Sequence, residues 1–169
     1  MFNKFKKSKL MLLASALYAV TNVASAATPS YDIKLTLPVI DKGQYHRPYI
    51  AIWVEDEKRV SQRSIAVWMQ KPKWLPDLKR YWRRVARKDR DIVDGVTSAT
   101  KKPGSHSIKW DGLNDKGQPL TAGKYSICVE AAREKGGREA ICAKIDYGKT
   151  NVAEAMGKHE ITHFSVTLN

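Results

Sequence analysis

The chain has 169 residues, a formal net charge of +13 at pH 7, 43% apolar residues and two cysteines. Length and apolar content suit one domain with a buried core. Two cysteines without close histidine partners argue against zinc, and no Ser-His-Asp order, paired catalytic carboxylates or glycine-rich phosphate loop before a helix supports catalysis by side chains alone.

Residues 1–26 read as a targeting segment. Lys4, Lys6, Lys7 and Lys9 form a positive start, Leu10 to Val20 is apolar, and Ala24-Ser25-Ala26 has the small-residue form a signal peptidase accepts. A bilayer span takes about 20 apolar residues, so this run is too short to anchor the chain. The expectation is a mature start near Ala27 and a single periplasmic domain over 27–169, soluble after cleavage. Removing the four lysines lowers the formal charge from +13 to +9. Basicity often means nucleic acid, but export argues against it. An anionic membrane surface, an acidic protein partner or a phosphate-bearing cofactor remain, beside the plainer reading that the charge aids solubility.

Tyr31 to Leu37 alternates Ile33, Leu35 and Leu37 with Asp32, Lys34 and Thr36, a strand with one wet face closed by Pro38. Asp41-Lys42-Gly43 is a turn. Tyr49 to Val54 is nearly all apolar and predicts a strand buried on both faces, with Arg63 to Met69 a third strand of similar character. Pro76 and Asp77 then suit a helix start. Leu78, Trp82 and Val85 recur at helical spacing, which predicts a short amphipathic helix over Asp77 to Lys88. Its basic residues, Arg80, Arg83, Arg84 and Arg87 among them, form either a partner-docking surface or a merely solvated face.

Asp94 to Pro103 is a loop of small and hydroxylated residues. Ser105 to Trp110 and Lys124 to Val129 both alternate and are separated by the turn formers Asp111-Gly112 and Asp115-Lys116-Gly117. This predicts a long hairpin with Trp110 and Tyr125 near each other across it. Arg138 to Tyr147 and Glu160 to Leu168 read as strands, and Gly148 to Gly157 as a polar connection. Cys128 and Cys142 lie symmetrically about Lys135 and would be directly opposite in a hairpin centred there, either bridged or as two small buried residues. The total is about seven strands with one inserted helix, an all-β, immunoglobulin-like β-sandwich.

Within this pattern Gly104 to Val129, through His106, Trp110, Asp111, Gly112, Asp115, Gly117, Leu120, Gly123 and Tyr125, resembles the Ig-like module of the flagellar hook-capping protein. The larger resemblance is to the predicted periplasmic proteins of domain of unknown function family 2271. It rests on Tyr49 to Val54, Ala66-Val67-Trp68, Trp82-Arg83, Asp94 to Gly104, Trp110-Asp111-Gly112 and Cys128 to Gly137. That resemblance implies an association with extracytosolic flavin systems, whose partners are a flavin transferase of the ApbE type and a membrane redox protein.

Transferases of that type attach FMN to the last residue of D-x-x-[ST]-G-A-[ST]. The matching residues here are Asp94, Thr97, Ala99 and Thr100, with Ser98 where the motif has Gly. The resemblance thus implies a covalent FMN on the Thr100 hydroxyl, with Lys101 and Lys102 near its phosphate. The alternative is a plain Ser/Thr-rich connection before a strand.

Other constellations are weaker. His159 and His163 are about 13 Å apart along an extended strand, too far to chelate one ion, and His46 or His106 would have to converge by folding. Asp111, Asn114 and Asp115 suggest calcium, but Leu113 breaks the alternation of oxygen ligands, and a turn is the simpler account. Trp53, Trp68, Trp74, Trp82 and Trp110 suit a core, or in part the flanks of a flavin ring. The two functional expectations are therefore an exported FMN-bearing electron carrier and a cofactor-free Ig-like binding or accessory module with a basic partner-docking surface.

Overall fold

The computed structural model describes residues 28–41 and 43–169. The targeting segment and the central Lys42 of the first turn lie outside the described residues. The chain forms an all-β sandwich with a small helical layer. One antiparallel sheet has the order β5 (Gly104–Trp110), β1 (Tyr31–Leu37), β9 (His163–Leu168), β8 (Val152–Met156). The other has the order β4 (Thr97–Ser98), β3 (Ser61–Trp68), β2 (Tyr49–Asp56), β6 (Lys124–Ala132), β7 (Arg138–Asp146). Only the short β4 is parallel to its neighbour.

Alternation explains which faces meet. Ile33 and Leu35 of β1 and Phe164 and Val166 of β9 face Ile50, Ile52 and Val54 of β2 and Ile127 and Val129 of β6, and all are buried. The opposite face of β2, through Tyr49, Ala51 and Trp53, is buried as well, against Leu75, Leu78, Tyr81 and Val85. The β2 run is apolar throughout because it lies between two cores. A strand covered on both sides has no face left for water.

Three expectations are corrected. The residues read as a long hairpin are not one. β5 pairs with β1 and β6 pairs with β2 and β7, so the chain crosses from one sheet to the other between Trp110 and Lys124. Trp110 stacks on Tyr31 at 4.8 Å between ring centroids and reaches Tyr125 only through Tyr147, which lies 6.2 Å from Trp110 and 6.0 Å from Tyr125.

The connection over 148–157 contains a further strand, β8, which brings the number to nine. The single helix over 77–88 is instead a 3-10 turn (Pro72–Asp77), one α-turn, α1 (Lys79–Tyr81), and a π-helical turn (Trp82–Ala86). A second helix, α2 (Arg90–Gly95), follows. Pro76 has no N–H to donate, which suits a broken start, and Asp89 caps α2 by accepting from the Ile92 N–H at 3.1 Å.

Candidate functional site

The helical layer is held on the sheet by carboxylates that the sheet buries. Glu130 of β6 is 0% exposed. Its Oε1 accepts from the Arg80 backbone N–H at 3.1 Å and its Oε2 from that of Tyr81 at 2.8 Å. Arg138 of β7 completes its neutralisation at 2.9 Å. Glu55, at the end of β2 and 2% exposed, is paired with the Arg80 guanidinium and accepts from Trp53 Nε1 at 3.1 Å. Arg80 also lies over the Trp53 ring. Tyr81 is fully buried, and its hydroxyl meets Ser64 Oγ at 2.5 Å. Burial pushes the Tyr81 phenol up to about 12.

This separates the four arginines expected to act together. Arg80 turns inward and fastens the layer, and a cation neutralised by a buried acid is not available to a partner. Arg83 and Arg87 are exposed and Arg84 is half-buried, and none of the three makes a salt bridge among the described residues. Trp74, on the 3-10 turn packed against the π-helical turn, is 38% exposed with Lys73 Nζ 4.7 Å from its centre.

The flavin-motif residues occupy the end of this lobe. Asp94 closes α2 and is exposed, as are Thr97, Ser98 and Ala99. Thr97 and Ser98 form β4: the Val67 N–H donates to the Val96 carbonyl and the Met69 N–H to that of Ser98. Thr97 Oγ1 donates to the Val93 carbonyl at 2.7 Å. Thr100 is 4% exposed, and its hydroxyl has no hydrogen-bond partner. Lys101 lies over Trp68, which is itself buried.

Covalent FMN therefore does not fit Thr100 as folded. A phosphoester needs an accessible hydroxyl, and this one faces the interior. Neither of two clefts among the described residues is lined by residues 94–100.

The larger cleft, about 660 Å³, lies over the β2–β6–β7 face. Its lining includes Glu55, Arg80, Lys124, Cys142, Lys144 and Asp146. Cys128 and Cys142 are directly opposite in the β6–β7 ladder and joined by a disulfide. The turn between them runs over 133–137, longer than the three residues of the hairpin expectation, and Lys135 at its centre has φ +53. Cys128 is 0% exposed and Cys142 is partly exposed. A Glu55 carboxylate oxygen and the two sulfurs lie within 4.8 Å of one another. Both sulfurs are engaged in the S–S bond, which leaves no thiolate to ligate a metal.

The remaining constellations are structural. His46 faces Glu134, His106 Nε2 meets the Lys102 carbonyl and His163 faces Glu154, and no metal-ligand cluster among the described residues includes a histidine. Asp111 accepts from the Leu113 N–H and Asn114 from those of Lys116 and Gln118, as turn residues do, while Asp115 accepts from the Ser64 N–H of β3. Trp53, Trp68 and Trp110 are core. Glu55 and Glu130 are the functional residues the sequence reading missed. Their signal is a carboxylate on the same strand face as Trp53, or as Cys128 and Ala132, inside an otherwise apolar run.

A family model described as predicted periplasmic protein (DUF2271) matches residues 30–163. No curated protein and no solved structure matches the chain. The likeness of Gly104 to Val129 to the hook-capping module is not supported by these comparisons.

Proposed function

Starting from a chain that belongs to the DUF2271 family of predicted periplasmic proteins, we propose that it is a cofactor-free accessory module that docks on an anionic phospholipid surface through its helical layer. The reading rests on one observation. Arg83 and Arg87 are exposed without an acidic partner among the described residues, on a lobe that also exposes Trp74 beside Lys73. Exposed basic side chains and an exposed indole on one lobe suit a headgroup region, where the cations meet phosphates and the ring sits at the apolar boundary. Buried Glu130 and Glu55 hold the lobe in place, so the surface is preformed. No helix among the described residues is long and apolar enough to cross a membrane.

The electron-carrier reading would instead require a transferase to reach the Thr100 hydroxyl, which is buried two residues beyond β4.

Sedimentation with phosphatidylglycerol-containing vesicles, against pure phosphatidylcholine, tests the proposal. Binding is expected only with the anionic lipid and to weaken with salt. At roughly 1 kcal/mol per basic residue, the Arg83→Glu, Arg87→Glu double variant should lose about thirtyfold in affinity. Equal binding to both vesicles, no binding, or full binding by the double variant would overturn it. An acidic protein partner for the same surface would then take its place.

A further inference from the structure

We propose that Cys128–Cys142 is a redox-active disulfide that exchanges with an exported dithiol protein through Cys142, beside the buried carboxylate of Glu55. This does not rest on the lipid-docking reading; the bond packs beneath the helical layer rather than on its exposed side.

Three observations meet at this bond. First, the two cysteines differ in exposure: Cys128 is fully buried, while Cys142 is partly exposed and lines the 660 Å³ cleft. An incoming thiolate has one sulfur to attack and a protected one to displace, the asymmetry exchange requires. Second, the bond joins residues already paired in an antiparallel ladder, Cys128 opposite Cys142, with registered pairs on either side from Lys124–Asp146 to Ala132–Arg138. The turn that closes this ladder is clamped by Glu160, which accepts from Arg133 and from the Gly137 N–H. Breaking the S–S bond therefore leaves the hairpin held by other means. Third, Glu55 brings a buried carboxylate within 4.8 Å of both sulfurs, with Arg80 against it. The pair fastens the layer, and it also sets the charge around the sulfurs, which governs exchange.

Exchange takes two displacements. The thiolate of the dithiol attacks Cys142 Sγ, and the Cys128–Cys142 bond breaks. Its electron pair leaves on Cys128 Sγ, which takes up a proton. The second thiol of the dithiol, as thiolate, then attacks its own sulfur in the mixed disulfide. Cys142 leaves and is protonated. Two electrons and two protons pass to this chain, and the dithiol becomes a disulfide. The Glu55 carboxylate disfavours a lingering thiolate beside it, so electron uptake is tied to proton uptake.

The first test is reduction of the folded protein by dithiothreitol, followed by thiol trapping, intact mass and far-ultraviolet circular dichroism. Complete reduction with an unchanged spectrum, faster than global unfolding, is the expected result. Reduction only at the rate of unfolding would make the bond structural and overturn the proposal. Next, Cys128→Ser should form a mixed disulfide with oxidised glutathione at Cys142, and Cys142→Ser should form none at Cys128. Equal modification of both would also overturn it. Finally, Glu55→Gln leaves Arg80 to attract the incoming and departing thiolates, and reduction should quicken about tenfold beyond any rise in the variant's own rate of global unfolding, which is measured beside it because the Arg80 pair is lost. An unchanged rate would remove Glu55 from the proposal, and the wild-type measurement stands without it.

Discussion

Glu139 and Glu160 hold each other's loops. The Glu139 carboxylate accepts from the backbone N–H groups of Lys158, His159, Glu160 and Ile161 at 2.6–3.1 Å. The Glu160 carboxylate accepts from the Gly137 N–H at 2.7 Å and doubly from Arg133. Glu139 lies on β7 and Glu160 just before β9, so this reciprocal pair ties one sheet to the other at the end of the sandwich. Burial alone would raise the Glu139 pKa, but the four N–H groups outweigh it and hold the carboxyl below its ordinary 4.5.

A depressed folded pKa means the Glu139 contribution is present above the unfolded value and is lost as pH falls through the folded one. Glu139→Gln is expected to cost about 2 kcal/mol at neutral pH, since an amide presents donors to donors. The difference between wild type and variant should shrink as pH falls below 4.5 and through the folded value, where the wild-type carboxyl is also protonated. Urea unfolding at several pH values measures it.

Tyr81 carries the opposite sensitivity. Its phenol is raised from 10.0 to about 12, chiefly by burial. The neutral form is the one the fold prefers, so its stabilisation is intact below the unfolded value and lost as pH rises through the folded one. The expected outcome is alkaline loosening of the helical layer between these values, read by tyrosinate absorbance and circular dichroism. Tyr81→Phe should reduce that sensitivity and cost about 1 kcal/mol at neutral pH through the bond to Ser64.

Thr100 gives two expectations. Its buried hydroxyl lacks a partner, so Thr100→Val should be neutral or stabilising by up to about 1 kcal/mol. The mature chain taken from its own periplasm should have an unmodified intact mass. A mass raised by one FMN less water, and lost in Thr100→Ala, would instead mean that the segment around Thr100 opens to a transferase.

Gly112 is the least replaceable turn glycine. Its φ is +74, and a Cβ there would fall 2.0 Å from the Pro29 carbonyl oxygen, while its own carbonyl accepts from Tyr147 Oη. Gly112→Ala should cost at least about 2 kcal/mol, visible as a lowered thermal midpoint.

Much of the sandwich was legible where side chains alternate against one core. β1 spans the expected Tyr31–Leu37, and the two-sided burial of β2 follows from its apolar run. β8 was missed because its inward residues are Ala153 and Ala155, while Val152 and Met156 point outward, 54% and 67% exposed. The false hairpin has another cause. Alternation reports which face of a strand is buried but not which strand it pairs with, and the turns from Asp111 to Gly117 suit a sheet-to-sheet crossing as well as a tip. At the candidate site, composition marked the arginines as basic. Only packing shows that Arg80 answers Glu55 while Arg83 and Arg87 answer no acid among the described residues. The burial of Thr100 was equally hidden, since a small hydroxylated residue carries no strong preference for inside or out.

The lobe leaves the sheet after Trp68 and returns as β4 beside Val67 and Trp68. Its two ends are therefore anchored on the same strand, and the path between them is a closed excursion. The rest of the sheet is paired without it. Such an arrangement can open and close as its own cooperative unit while β1, β2 and β6 stay protected. In a hydrogen-exchange experiment, amides from Leu75 to Val96 should share one opening free energy, lower than that of the strands beneath.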